Sequence, residues 1–428
     1  MKRDRRIFSI GLLFVLNIVF SQSLMNGYGF GGLSSSQSAS VLGLGNQSLV
    51  SSFQSGVSLQ NPATWMDLKF TKLNISYLND QSVLESFDAL NGQTLIGRGQ
   101  LIIPIKEKYS FGLGLAPYRN QSISIIGAEE SYIAFDDTLS TQKSLYSYGG
   151  INALFVGFGI APKNEHRFGT KIHLLFGSTR QSLMNNVGGI ATISNARFVY
   201  SGVLVDAYYN TNFEYPVNIF ASVQFAYKPL SYISKLYHPF DDTNQSGYHD
   251  SEFYFMDFPY QSDISLAIEN REENIHNPFQ FELGFEWKMK DHISLSGELL
   301  SWEDKGDYSN LDFIMPLNDY VKSRQEYGFS LIRFTPALLA PKFWDKFQLR
   351  AGVHSSNYQL ANELESIKEM SISFGFGFKF NVTGNQIDFA FRSGKRTYHE
   401  TLGVEHFQHA MVELSLSDLW FIKRRGNK

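Results

Sequence analysis

Side chains able to do chemistry are few in this chain, and they are scattered. His399, His406 and His409 lie close together near the C-terminus. A zinc ion needs three or four oriented ligands at suitable spacing, and nothing in this spacing fixes the three on one surface. Asp241-Asp242 and Glu272-Glu273 offer the oxygen donors that calcium takes, but acid pairs in a loop are more often simply solvated. No nucleophile elbow or metalloprotease helix occurs. The glycine run Gly27-Tyr-Gly-Phe-Gly-Gly32 has no strand before it and no Lys-Ser/Thr after it, so it is not a phosphate loop. A Ser-His-carboxylate site gathered from separate strands is a minor alternative. The expectation is a protein that is not an enzyme, with no catalytic residue, no metal and no cofactor.

Two stretches remain. One is Asn61-Pro62-Ala63, inside Ser55 to Trp65, directly before the alternating run Leu68 to Tyr77. Proline disfavours helix at the residue before it, so by itself this is an ordinary turn opening a strand. The other is the segment 228–278, which holds Phe253, Tyr254, Phe255, Met256, Phe258 and Tyr260. A loop in water has little use for so many aromatics unless it folds on itself or captures something apolar. The six are the candidate ligand- or partner-binding residues.

The elements that must carry these stretches are strands. Phe279, Phe281, Leu283, Phe285, Trp287 and Met289 alternate with Gln280, Glu282, Gly284, Glu286, Lys288 and Lys290. Ile372, Phe374, Phe376, Phe378 and Phe380 alternate with Ser373, Gly375, Gly377 and Lys379. Period-two alternation of aromatic with small or charged residues fits lipid outside and a polar interior. About fourteen such segments run from residue 68 to 421, near 68–79, 94–105, 109–118, 147–160, 167–179, 197–209, 216–227, 279–290, 292–301, 325–334, 346–357, 370–381, 386–396 and 407–417. Their connections alternate between short and long, which predicts short periplasmic turns, long outer loops (80–93, 119–146, 228–278 and 302–324 among them) and both termini in the periplasm.

Composition agrees. There are 37 Phe, 22 Tyr and 35 Gly, and no Cys. Disulfides, cysteine-bound metal and the acylated cysteine of a lipoprotein are thereby excluded. Lys2, Arg3, Arg5 and Arg6, then the apolar run Ile7 to Phe20, then Ser21 and Ser23, read as a cleaved secretory signal over 1–22. Losing it makes the net charge more negative than −4, which argues against nucleic acid as a partner. Residues 23–67 are rich in Gly and Ser but carry Tyr28, Phe30, Val41, Leu42, Leu44 and Phe53. That mixture suits a compact segment packed inside a barrel. Residues 422–428 form a short basic tail. The fold class is all-β: a transmembrane antiparallel β-barrel of about fourteen strands with an N-terminal hatch in its lumen, sited in the bacterial outer membrane.

The signal segment, the glycine-rich Gly27 to Gly45, Asn61-Pro62-Ala63 before the first strand and the strand count together resemble the FadL-type outer-membrane transport proteins, including the related PorV/PorQ branch. After the motif the family's text is small and apolar, whereas this chain has Thr64-Trp65-Met66-Asp67. The resemblance implies a monomer in outer-membrane lipid, with Asn61, Pro62 and Ala63 on a hatch that gates passive uptake of hydrophobic compounds such as long-chain fatty acids or hydrocarbons. For the PorV/PorQ branch it implies instead a barrel that binds or anchors secreted proteins.

Overall fold

The computed structural model describes residues 23–33, 38–85, 89–134, 137–163, 165–211, 216–250, 257–259, 268–290, 292–309, 315–335, 342–362, 365–380, 384–399 and 402–418. The signal segment, Phe253 to Met256, Tyr260 and the tail after Asp418 lie outside them.

Fourteen strands make the wall: β1 (Thr71–Leu84), β2 (Ala89–Ile105), β3 (Tyr109–Asn120), β4 (Asp137–Lys163), β5 (His166–Val187), β6 (Ile190–Thr211), β7 (Val217–Leu236), β8 (Pro278–Lys290), β9 (Ile293–Asp304), β10 (Val321–Arg333), β11 (Phe347–Leu360), β12 (Ser366–Lys379), β13 (Gln386–Thr397) and β14 (Val404–Asp418). Each pairs antiparallel with its sequence neighbour. The sheet closes where β14 meets β1, from Asp418 opposite Thr71 to Glu405 opposite Leu84. Closure leaves the wall no edge, the condition for crossing lipid with strands.

The alternation sorts residues as expected. On β8, Glu282 and Glu286 are buried while Phe279, Leu283, Phe285 and Trp287 are exposed. On β12, Ser371 and Ser373 face in, while Met370, Ile372 and Phe374 face out. The outward residues form the apolar band that lipid covers, and the inward ones leave a polar lumen.

The expected loops at the outer end are shorter than alternation suggested. The stretch 80–93 is mostly β1 and β2, with only residues 85–88 between them. The stretch 119–146 holds the strands Ile123–Ile126 and Glu130–Ala134 and the first part of β4. Between β5 and β6 the chain turns at Gly188-Gly189, with Val187 opposite Ile190. About ten residues suffice to cross a bilayer, so β4 to β7 continue far above it. There no lipid requires one face to be apolar, and the sequence loses its alternation although the ladder continues. Where these strands leave the band they bend. The β3–β4 register slips between Pro117 and Arg119, and Gly149 has a φ of +110° with no room for a Cβ beside the Ser178 carbonyl.

Candidate functional site: the filled lumen

Residues 38–68 cross the lumen and bond to inward side chains on opposite parts of the wall. A helical turn, Ala39–Leu42, starts beside Glu413 of β14, whose carboxylate accepts from Ser38 Oγ (2.9 Å) and the Ser40 amide (3.1 Å). Glu298 of β9 accepts from the amides of Ser48 (3.1 Å), Leu49 (2.9 Å) and Val50 (3.4 Å). Arg350 of β11 donates from Nε to the Ser52 carbonyl (3.0 Å), and Gln348 adds a bond of 3.3 Å. Lys171 of β5 bonds the Gln60 carbonyl, and Arg167 pairs with Asp67. A segment with little regular structure must satisfy its backbone groups somewhere, and here charged and polar side chains of the wall do so.

Asn61-Pro62-Ala63 starts a 3-10 helix, Pro62–Asp67. The Asn61 side chain accepts from the Ala63 amide (3.0 Å), and its Nδ2 donates to the Leu49 carbonyl (3.1 Å). Proline takes the first helical position, where no amide hydrogen is needed. The motif presses on the wall: a Cβ at Gly159 would come within 2.2 Å of the Pro62 carbonyl, and one at Gly169 within 2.5 Å of the Ala63 amide. All three residues are buried. Locally the motif is a helix cap and a packing knob. Asn61→Ala removes the cap and the tie to Leu49 and is expected to cost about 1 kcal/mol. Hydrogen exchange at 61–67 should speed up while the strands stay protected; unchanged exchange would remove the capping role.

Trp65, part of the departure from the family's usual text, is the largest buried side chain of the segment. Its ring lies on Gly112 of β3 and Gly157 of β4, and Nε1 donates to the Leu59 carbonyl (3.1 Å). Inward glycines recur elsewhere under the segment, with Gly375 beneath Gly43 and Gly352 beneath Gly45. Sequence reasoning read these glycines only as small lumen residues. Their cluster on β3 and β4, facing in, is the signal that a bulky group sits there.

Above this level the packing turns apolar. Phe30 meets Tyr200 of β6, Tyr308 and His276, in a cluster with Ile151, Phe198 and Tyr232. Met25 and Tyr28 pack with Trp302, Tyr358 and Tyr398 in a second cluster. The connection after β9 joins them: the Gly29 amide donates to Asp319, and the Leu317 amide donates to Gly27. Residues 24–30 and the described part of this connection are thus bonded to each other at the outer end.

Among the described residues two small cavities remain inside, one lined by charged and apolar groups together and one mainly apolar. One cavity, of 160 Å3, is lined by Arg98, Lys171, Asp206, Glu282, Glu298 and Arg324 among others. A second, of 100 Å3, sets Met25, Leu78, Leu95 and Val321 beside Arg119 and His409.

The other sequence candidates fall elsewhere. Of the aromatic candidates in 228–278 only Phe258 is described; it is exposed and pairs with Asp241. The acids near it are engaged by the loop itself: Asp242 accepts from the Ser246 (3.0 Å) and Gly247 (2.7 Å) amides, and Asp257 from the Thr243 (3.1 Å) and Asp250 (2.8 Å) amides. Hydrogen bonds from Asn244 and Ser246 hold the Asp250 carboxyl below its usual range. Asp304, expected in a solvated loop, is instead buried against His276 and Tyr308. The three histidines separate, with His406 facing out to Glu85 (2.7 Å) and His409 facing in to Asp80 (3.1 Å). Among the described residues no group of three or more His, Asp or Glu is arranged for a metal ion.

The family model described as BamG matches residues 5–427. Among curated proteins none matches the sequence. Solved structures share the fold at low identity. The CymD monoaromatic hydrocarbon channel superposes with a TM-score of 0.55 at 11% identity, over 92% of this chain and 100% of that one. The Ralstonia pickettii toluene transporter TbuX gives 0.53 at 10%, over 91% and 99%. A Pseudomonas aeruginosa FadL homologue gives 0.50 at 10%, over 93% and 98%.

Proposed function

Because the chain belongs to the BamG family and its outer-membrane barrel is filled by its own N-terminal segment, we propose that it works as a sealed barrel that binds secreted or surface-attached proteins through its outer face. The observation that carries this reading is the chemistry of the lumen. The larger interior cavity is bounded by Arg98, Lys171, Asp206, Glu282 and Glu298, and an apolar solute gains nothing by displacing water from ions. The apolar clusters above it are occupied by the chain's own Met25, Tyr28 and Phe30. Binding surface is available outside. The strands rising above the band expose Ile126, Ile133, Leu183, Val187 and Ile190, with Ile133 at 84%. Apolar side chains this exposed in water mark contact sites when they gather.

Photo-cross-linking residues placed at Ile133, Ile190 and Phe258 in living cells test this. Discrete protein adducts are expected there, with none at lipid-facing Phe285. A lack of adducts at all three outer positions would overturn the reading.

A second reading is gated passive uptake of a hydrophobic compound, with Asn61, Pro62 and Ala63 on the moving part. The fold shared with a monoaromatic hydrocarbon channel and a toluene transporter favours it. It requires the N-terminal segment to leave its bonds to Glu298, Arg350 and Glu413.

A further inference from the structure

A recess in the lipid-facing wall is used by neither reading. It is a groove of 630 Å3 across β10 to β14, sided by Tyr327, Phe329, Val353, Met370 and Ile372. Its depth follows from residue size. Outward positions around it carry large apolar groups, but Ser355 of β11 and Ser393 of β13 are small and lie on its floor. Two hydroxyls on the lipid side of a barrel are unexpected for a surface that only meets acyl chains.

Register places the groove at the upper edge of the band. In the row at its level, Tyr327, Ser355, Met370, Lys395 and His406 stand side by side on β10 to β14. Two residues below on β12 and β13 are Ile372 and Ser393, and two further down Phe374 and Phe391, all of them facing lipid. One step above is the polar row Gln325, Asn357, Lys368 and Thr397. Short turns and both ends of the wall lie at the opposite end, so this edge belongs to the outer leaflet.

Its rim is cationic. Lys395 lines the groove, and Lys368 is exposed one row above on the neighbouring strand. Neither has an acidic partner among the described residues. His406 also lines it, and there the Glu85 carboxylate is the opposing charge (2.7 Å).

We propose that this groove is a binding site for a phosphorylated lipid of the outer leaflet, with an acyl chain lying over Ser355 and Ser393 and the phosphate held by Lys395 and Lys368. The site combines an apolar trough, small floor residues and two free cations at headgroup height, and that combination fits an anionic amphiphile better than a neutral one.

The test is native mass spectrometry of the full-length barrel in mild detergent, titrated with bis-phosphorylated lipid A, with its dephosphorylated form, and with inorganic phosphate. One lipid per barrel is expected, bound about tenfold more weakly by the Lys368→Glu/Lys395→Glu variant and by the groove-filling Ser355→Phe/Ser393→Phe variant. All four positions face outward, away from the filled lumen, and retained heat-dependent gel mobility will verify the fold. Equal binding by either variant, equal retention of dephosphorylated lipid, or binding of inorganic phosphate alone overturns the proposal.

Discussion

Trp65→Ala is expected to free residues 38–68 from the wall while the fourteen strands stay closed. Trp65 is fully buried on Gly112 and Gly157, which cannot grow to fill the space it leaves. Its indole also holds the Leu59 carbonyl, and Lys171 lies over its ring at 5.7 Å. Truncating a buried tryptophan costs about 3–5 kcal/mol. The strands do not share that loss, because their ladder bonds run only between neighbours around the ring. Amide exchange across 38–68 should therefore rise by about two to three orders of magnitude at unchanged protection of β8 to β14. Conductance in planar bilayers should rise from near nothing to discrete openings that favour ions, since the uncovered wall carries Arg98, Lys171, Glu282 and Glu298. The same variant separates the two functional readings. If uptake of a hydrocarbon rises in step with conductance, the gated channel gains; if only ions pass, the sealed barrel stands. Exchange indistinguishable from the parent would show that Trp65 does not hold the segment.

How much of this was legible beforehand depends on which force wrote each residue. Lipid leaves a plain record: Phe285 and Trp287 must face acyl chains, and so the wall, its strand number and its closure could be read from period two. Above the bilayer the same ladder leaves no such record. Residues 137–146 and 180–187 pair as strand, yet nothing requires one face to be apolar, and they read as loops. The segment in the lumen was legible in kind but not in contact. Glycines and scattered Tyr28, Phe30 and Phe53 announced compact packing, whereas Glu298 beneath three amides belongs to a strand more than two hundred residues away, and no local pattern links them. Asn61-Pro62-Ala63 stood out in sequence, and its immediate structural task is to cap a helix. Trp65 bears more of the packing, and it lay in text that looked like a departure. Reading Gly112 and Gly157 as a seat would have found it.

Arg350→Met tests whether the ring of buried ions stabilises the barrel or chiefly serves its N-terminal segment. Arg350 and Asp388 are both fully buried, with Nη1 at 2.6 Å from the carboxylate. Gln386 also donates to Asp388 (2.8 Å), and Nε of Arg350 holds the Ser52 carbonyl (3.0 Å). Removing the guanidinium strands a buried carboxylate, a loss of about 3–5 kcal/mol in such pairs. The urea midpoint of the folded barrel in lipid should fall accordingly. Arg350→Met with Asp388→Leu removes both charges, so most of that loss should return, because an apolar pair of similar size avoids the desolvation of two ions. The Ser52 carbonyl, however, keeps only its bond from Gln348 in both variants. Exchange near residues 52–57 should therefore stay fast in the double variant even after global stability recovers. A double variant as unstable as the single one would mean that the tie to Ser52, and not the charge pair, is what Arg350 contributes. A single variant with an unshifted midpoint would mean that the wall holds itself together without its lumen ions, leaving them to anchor the segment that lies in it.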